Sequence, residues 1–142
     1  MIPVMQSNLS STEGDCFAAC VASILEVSLS DIPNFMLQKG DKWWDHYNKW
    51  LLENYNCVAF NFELDSNNRE EWISLCIESN LYCMGTIKCS NRLIHSVVLK
   101  SGNIVHNPWP YYGGDHSEFT IKSIEFIVPL DPSKIIKQRT KK

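Results

Sequence analysis

Three side chains of this 142-residue chain have the types and order needed for acyl-transfer chemistry: Cys16, His95 and Asn107. The thiol stands in Gly14-Asp15-Cys16-Phe17-Ala18-Ala19-Cys20, which runs straight into an apolar helical pattern. A cysteine at or near a helix N-terminus sits among unpaired N–H groups at the positive end of the helix dipole, and both favour the thiolate. His95 opens the strand-like run Ile94-His95-Ser96-Val97-Val98-Leu99, and Asn107 follows twelve residues later, directly before Pro108. In such a set the thiolate is the nucleophile, the imidazole moves the proton, and the amide fixes the ring's orientation and tautomer.

The segment between His95 and Asn107 reads as a β-hairpin. Lys100-Ser101-Gly102 suits a three-residue loop, a type I turn followed by a left-handed glycine. That register pairs Leu99 with Asn103, Val97 with Val105, and His95 with Asn107. Directly opposed residues share a face, with Cβ atoms about 4.5–5.5 Å apart, so the amide oxygen can accept from one ring nitrogen and leave the other for Cys16. A two-residue turn would instead send the two side chains to opposite faces. His106 points away from Asn107's face and reads as structural, while His46 and His116 read as solvent-facing.

These residues need elements to hold them. Ser10 to Gly14 form a loop that leads to Asp15 as helix N-cap. The helix from Cys16 to Glu26 buries Phe17, Cys20, Val21, Ile24 and Leu25 at spacings of three and four. A short turn or helix follows at 28–32. Asp41 then caps an amphipathic helix carrying Trp43, Trp44, Tyr47, Trp50, Leu51 and Tyr55. A strand at 57–64 leads to a helix capped within 65–68, where Asn67 and Glu70 resemble a capping box; its apolar residues are Trp72, Ile73, Leu75, Cys76 and Ile77. Strands are expected at 81–88, 94–99, 103–107 and 119–129. Helices first and a mostly antiparallel sheet second make an α+β domain over 1–133, with a basic tail at 134–142.

Composition narrows the classes. Hydrophobic residues are 44% and aromatics 11%, too apolar for a disordered or fibrous chain. No apolar run approaches 18 residues and the N-terminus lacks a signal-like pattern, so the expected location is cytoplasmic, with no membrane partner. Without a secretory signal, the six cysteines read as buried small hydrophobes rather than disulfides, Cys16 excepted. Their spacing offers no zinc motif, and no cofactor or phosphate motif is present. The net charge is −3, but five basic residues in the tail mean that residues 1–133 carry −8, and an acidic body argues against a nucleic-acid partner. The loop Trp109-Pro110-Tyr111-Tyr112-Gly113-Gly114 adjoins Asn107, so Trp109 and Tyr111 are candidate substrate contacts. Ser90 and Asn91, in the loop before His95, are further candidates.

With these residues identified, the chain resembles the papain-like superfamily, and within it the C39-like bacterial and phage cysteine peptidases. The matching stretches are Asp15-Cys16-Phe17-Ala18-Ala19-Cys20, His95-Ser96-Val97-Val98 and Val105-His106-Asn107-Pro108. It is still more similar to small phage-borne proteins whose pattern opens with Pro-x-x-Gln, passes through Gly-[DN]-Cys-Phe-x-Ala-Cys and ends in Val-His-[DN]-Pro. The similarity covers residues 3–35 and 85–110. It implies a papain-like fold with N-terminal helices on the sheet, and a third triad member that is Asn, as in papain. It also implies that Gln6 supplies the side-chain oxyanion donor beside the Cys16 N–H. Gln6 lies ten residues before the cysteine, so the intervening loop must fold back; Asn8 and Ser11 are alternatives. The implied activity is a cysteine hydrolase acting on a peptide, isopeptide or small amide, in the host cytoplasm if phage-encoded. Two other readings remain open: an acyltransferase or transglutaminase-like enzyme with the same triad, and a non-catalytic phage or mobile-element protein that binds a host protein or small ligand in the cleft.

Overall fold

Val97, Val98 and Leu99 are consecutive and all fully buried, so the strand that carries them must be covered on both faces. In a computed structural model describing residues 1–37, 40, 42–88, 94–113, 116 and 119–131, helices provide that cover. Helix α1 (Cys16–Leu25) is followed by two 3-10 turns, Leu29–Asp31 and Phe35–Leu37, and by α2 (Trp43–Tyr55). Strand β1 (Cys57–Glu63) precedes α3 (Arg69–Ser79), and then come β2 (Tyr82–Lys88), β3 (Ile94–Lys100), β4 (Asn103–His106) and β5 (Thr120–Pro129). The five strands form one sheet in the order β1-β5-β2-β3-β4, antiparallel at every neighbouring pair. The architecture is α+β. The basic tail at 134–142 lies outside the described residues.

Two apolar clusters divide the work. On one face Val21 and Ala22 of α1 and Tyr47 and Leu51 of α2 meet Met84 and Val98 of the sheet. Phe17 locks the two helices together, its ring edge-on to Trp43 at 5.5 Å and to Tyr47 at 5.0 Å. On the other face α3 packs over Val97, Leu99 and Ile124. Of the five apolar residues on α3, only Cys76 is buried. Trp72 and Ile73 pack partly against the cluster, whereas Leu75 and Ile77 are exposed. The stripe meeting the sheet is narrow, and those two positions fall on either side of it.

Helix starts depart from the expected caps. Asn68, not Asn67, is the α3 N-cap, and no capping box forms. Instead Asp65 accepts the N–H groups of Asn67 at 2.7 Å and Asn68 at 3.1 Å. Helix α2 begins after Lys42, and Asp41 lies outside the described residues. Asp15 holds the N-cap position of α1 but makes no side-chain capping bond. Among the described residues, no helix is long and apolar enough to cross a membrane.

One polar side chain interrupts the α1/α2 face. Glu125 of β5 is 7% exposed and accepts the Tyr47 hydroxyl at 2.9 Å. Burial pushes the Glu125 carboxyl up to about 8, with the Tyr47 bond working in the opposite direction. A carboxyl that holds its proton more tightly folded than unfolded stabilises the fold below its ordinary value of 4.5; that contribution is lost as pH rises through about 8. Unfolding in urea should therefore show wild-type stability falling over this window by on the order of 1 kcal/mol per pH unit relative to Glu125→Gln. Parallel pH profiles for the two proteins would rule this out.

Candidate active site

Cys16 is the first residue of α1, and it is only partly buried, while Phe17 to Ser23 behind it are buried. Helix α1 lies across β3 and β2, which carries its N-terminus to the start of β3. There the thiol lies beside the His95 ring and Ser96, near enough for both residues to favour its ionised form. His95 is itself 9% exposed.

The hairpin that delivers the orienting amide differs from the expected one twice. Ser101 and Gly102 have φ of +50° and +78°, so the connection is a two-residue turn of the I′ kind, with Lys100 opposite Asn103. Left alone, that register would turn Asn107 away from His95. The pairing then shifts: Leu99 faces Ile104 but Val98 faces His106, so Val105 is an extra residue in β4. Beyond this bulge Asn107 falls across from Val97, diagonal to His95 and on its face. The two mismatches cancel.

Asn107 Oδ1 lies 2.8 Å from His95 Nε2 and also accepts the Trp109 N–H at 3.1 Å. The second bond settles which amide atom faces the ring, because a backbone N–H needs an acceptor. Nε2 must then carry the donated hydrogen, and Nδ1 is left for the thiol. The Trp109 ring stands 6.2 Å from the imidazole, tilted by 60°. Pro108 between them is fully buried and fixes the chain's exit from β4.

Electrostatics separate Cys16 from the other thiols. Burial opposes its ionisation, but the His95 hydrogen bond and charge, together with the Ser96 bonds, outweigh burial and hold the thiol below its usual range. His95 is the mirror image: burial disfavours the charged ring, and Cys16 and Asn107 together raise it above the ordinary value. The pair therefore leans toward thiolate and imidazolium. Burial pushes Cys20, Cys57, Cys76 and Cys83 up instead. Cys89 lies outside the described residues.

The N-terminal segment completes the site. It threads between α1 and β4: Ser23 Oγ accepts the Val4 N–H at 2.9 Å, His106 Nε2 donates to Val4 O at 2.8 Å, and Gln6 N donates to Pro108 O at 2.9 Å. His106 is thus a structural staple. The loop then folds back so that Gln6 and Cys16 line the same cleft, of about 460 Å³. Gly14 allows the return, since a Cβ there would stand 2.5 Å from Ser10 O. Leu9, Met36, Ile94 and Trp109 give the cleft apolar walls.

Of the other expected contacts, Trp109 lines the cleft, whereas Tyr111 is 80% exposed and does not. Ser90 and Asn91 lie outside the described residues. His116, expected in solvent, is half-buried with its ring 4.9 Å from Tyr112 and 5.9 Å from Phe119; the apolar neighbours hold it in. Two contributors escaped the sequence reading. Ser96 follows His95 in a strand, where alternation argues against both reaching one site. Asp15 reads as an ordinary cap. No group of three His, Cys, Asp or Glu able to hold a metal occurs among the described residues.

Iodoacetamide should alkylate Cys16 well ahead of the four buried thiols at neutral pH, as peptide mapping would reveal. In His95→Gln the onset of Cys16 alkylation should move to higher pH, because burial then acts unopposed by the ring. An unmoved onset would show that His95 does not tune the sulfur. Comparison with protein-family profiles, curated proteins and solved structures finds no match to this chain.

Proposed function

We propose that this protein is a papain-like cysteine hydrolase that cleaves a peptide, isopeptide or small amide bond through a thioacyl intermediate. The observation that carries the reading is the placing of Cys16 beside a His95 ring that Asn107 Oδ1 holds at 2.8 Å, with the sulfur below and the ring above their ordinary proton affinities. Cys16 Sγ adds to the carbonyl carbon, and the oxygen takes the negative charge beside the Cys16 N–H and Gln6. As the C–N bond breaks, His95 gives its proton to the leaving amine. Water then adds to the thioester with His95 as base; the acid departs and the thiolate–imidazolium pair is restored.

A peptide and small-amide library, read by mass spectrometry, tests the activity. Wild-type protein should release free acid and amine, while Cys16→Ala should lose turnover by at least about 10⁴-fold with unchanged circular dichroism. Equal turnover by both proteins would end the hydrolase reading. Acyl product appearing only on an added amine would reassign the reaction to transfer.

A further inference from the structure

Asp15 is 8% exposed, occupies the N-cap position of α1, and yet caps nothing. Its carboxylate turns back along the chain. Oδ1 accepts Ser7 N–H at 3.0 Å and Asn8 N–H at 2.9 Å, and Oδ2 accepts the Ser7 hydroxyl at 2.7 Å. Among the described residues no Lys or Arg pairs with it. Charge-assisted bonds from two consecutive amides and a hydroxyl, with the positive end of α1 beside it, keep the carboxylate in place.

The grip continues through Asn8. The Asp15 N–H donates to Asn8 O at 3.3 Å, so Asn8 is held at both its N–H and its C=O by the same residue. Asn8 O in turn accepts one hydrogen of Gln6 Nε2 at 3.0 Å. An amide nitrogen has two hydrogens, and fixing one fixes the plane and direction of the other. Gln6 is anchored on its other side by its N–H to Pro108 O.

We infer that Asp15 is the positioning residue of the oxyanion site: through Asn8 it sets where the Gln6 amide points beside the Cys16 sulfur. The inference rests on the hydrolase reading above. It concerns the charge that develops on the substrate oxygen, not the reactivity of the thiol, and two reagents separate these. Alkylation by iodoacetamide forms an S–C bond as iodide leaves, with no oxyanion. Acylation by p-nitrophenyl acetate forms an S–C bond at a carbonyl, passes through an oxyanion, and releases p-nitrophenolate.

Asp15→Asn should slow acylation of Cys16 roughly 10- to 100-fold and leave its alkylation rate and pH profile within twofold of wild type. Gln6→Ala should do the same, and the double variant should lose no more than the worse single one. Multiplying losses, or alkylation falling in step with acylation, would overturn the assignment. If Asp15→Asn fails to fold, Ser7→Ala removes only the hydroxyl bond. It should slow acylation severalfold, non-additively with Gln6→Ala, and no change would equally overturn it. Wild-type protein that alkylates rapidly but never acylates would sink the hydrolase reading, and the positioning role with it.

Discussion

A thiolate and an imidazolium persist side by side in a half-buried cleft only if each is also held by groups other than its partner. At the effective dielectric of a protein surface, two charges at 4 Å attract by about 4 kcal/mol. Taking them out of water costs several kcal/mol per ion, so attraction alone does not settle the outcome. Here neutral donors and acceptors push both groups toward their charged forms. Asn107 Oδ1 holds the ring, Trp109 N–H holds Asn107, and Ser96 supplies two donors to the sulfur. Cys16 also stands at the one end of α1 where unpaired N–H groups point outward.

The rest of the fold serves that meeting. Helix α1 is buried along almost its whole length, so its N-terminus has little freedom over the sheet. The N-terminal segment ties α1 to β4 through Val4, Ser23 and His106, which joins the helix that starts at Cys16 to the strand that leads into Asn107. The opposite face of the sheet, under α3, is an apolar layer around Val97, Leu99 and Ile124. Cys76 and Cys83 illustrate the difference, with sulfurs 4.0 Å apart in an apolar layer that keeps both protonated.

Residue types and chain order were legible in the sequence: a cysteine heading an apolar helix, a histidine heading a strand, an asparagine before proline. The α+β layout followed from periodicity, because α2 buries Tyr47 and Leu51 at a spacing of four and β3 carries a continuous apolar run. Helix α1 departs from its expected stripe, being buried without a break from Phe17 to Ser23 while Ile24 and Leu25 are only partly buried. Backbone detail was not legible. Ser101 adopts a left-handed conformation that residue type does not announce, and the extra residue at Val105 leaves no mark in an apolar strand. The hairpin was therefore expected with the wrong turn and no bulge, although the His95–Asn107 contact it was meant to provide is present. Asp15 was misread for a related reason. Propensity describes what an aspartate does beside its own helix, while the bonds to Ser7 and Asn8 depend on a loop closing over it.

That hairpin behaves as a parity counter. Its tight turn and its bulge each flip the side-chain alternation once, and only their sum keeps the imidazole and its amide on a common side. Chains of this kind can thus exchange residues at the outward positions of β4, since Asn103 and Val105 face solvent. They can gain or lose length between His95 and Asn107 only in steps of two. An odd-numbered insertion there, unless another bulge absorbed it, would leave the residue types of Cys16, His95 and Asn107 in place and turn the imidazole and the amide apart, which makes ribbon length, more than motif, the trait to track among diverging sequences.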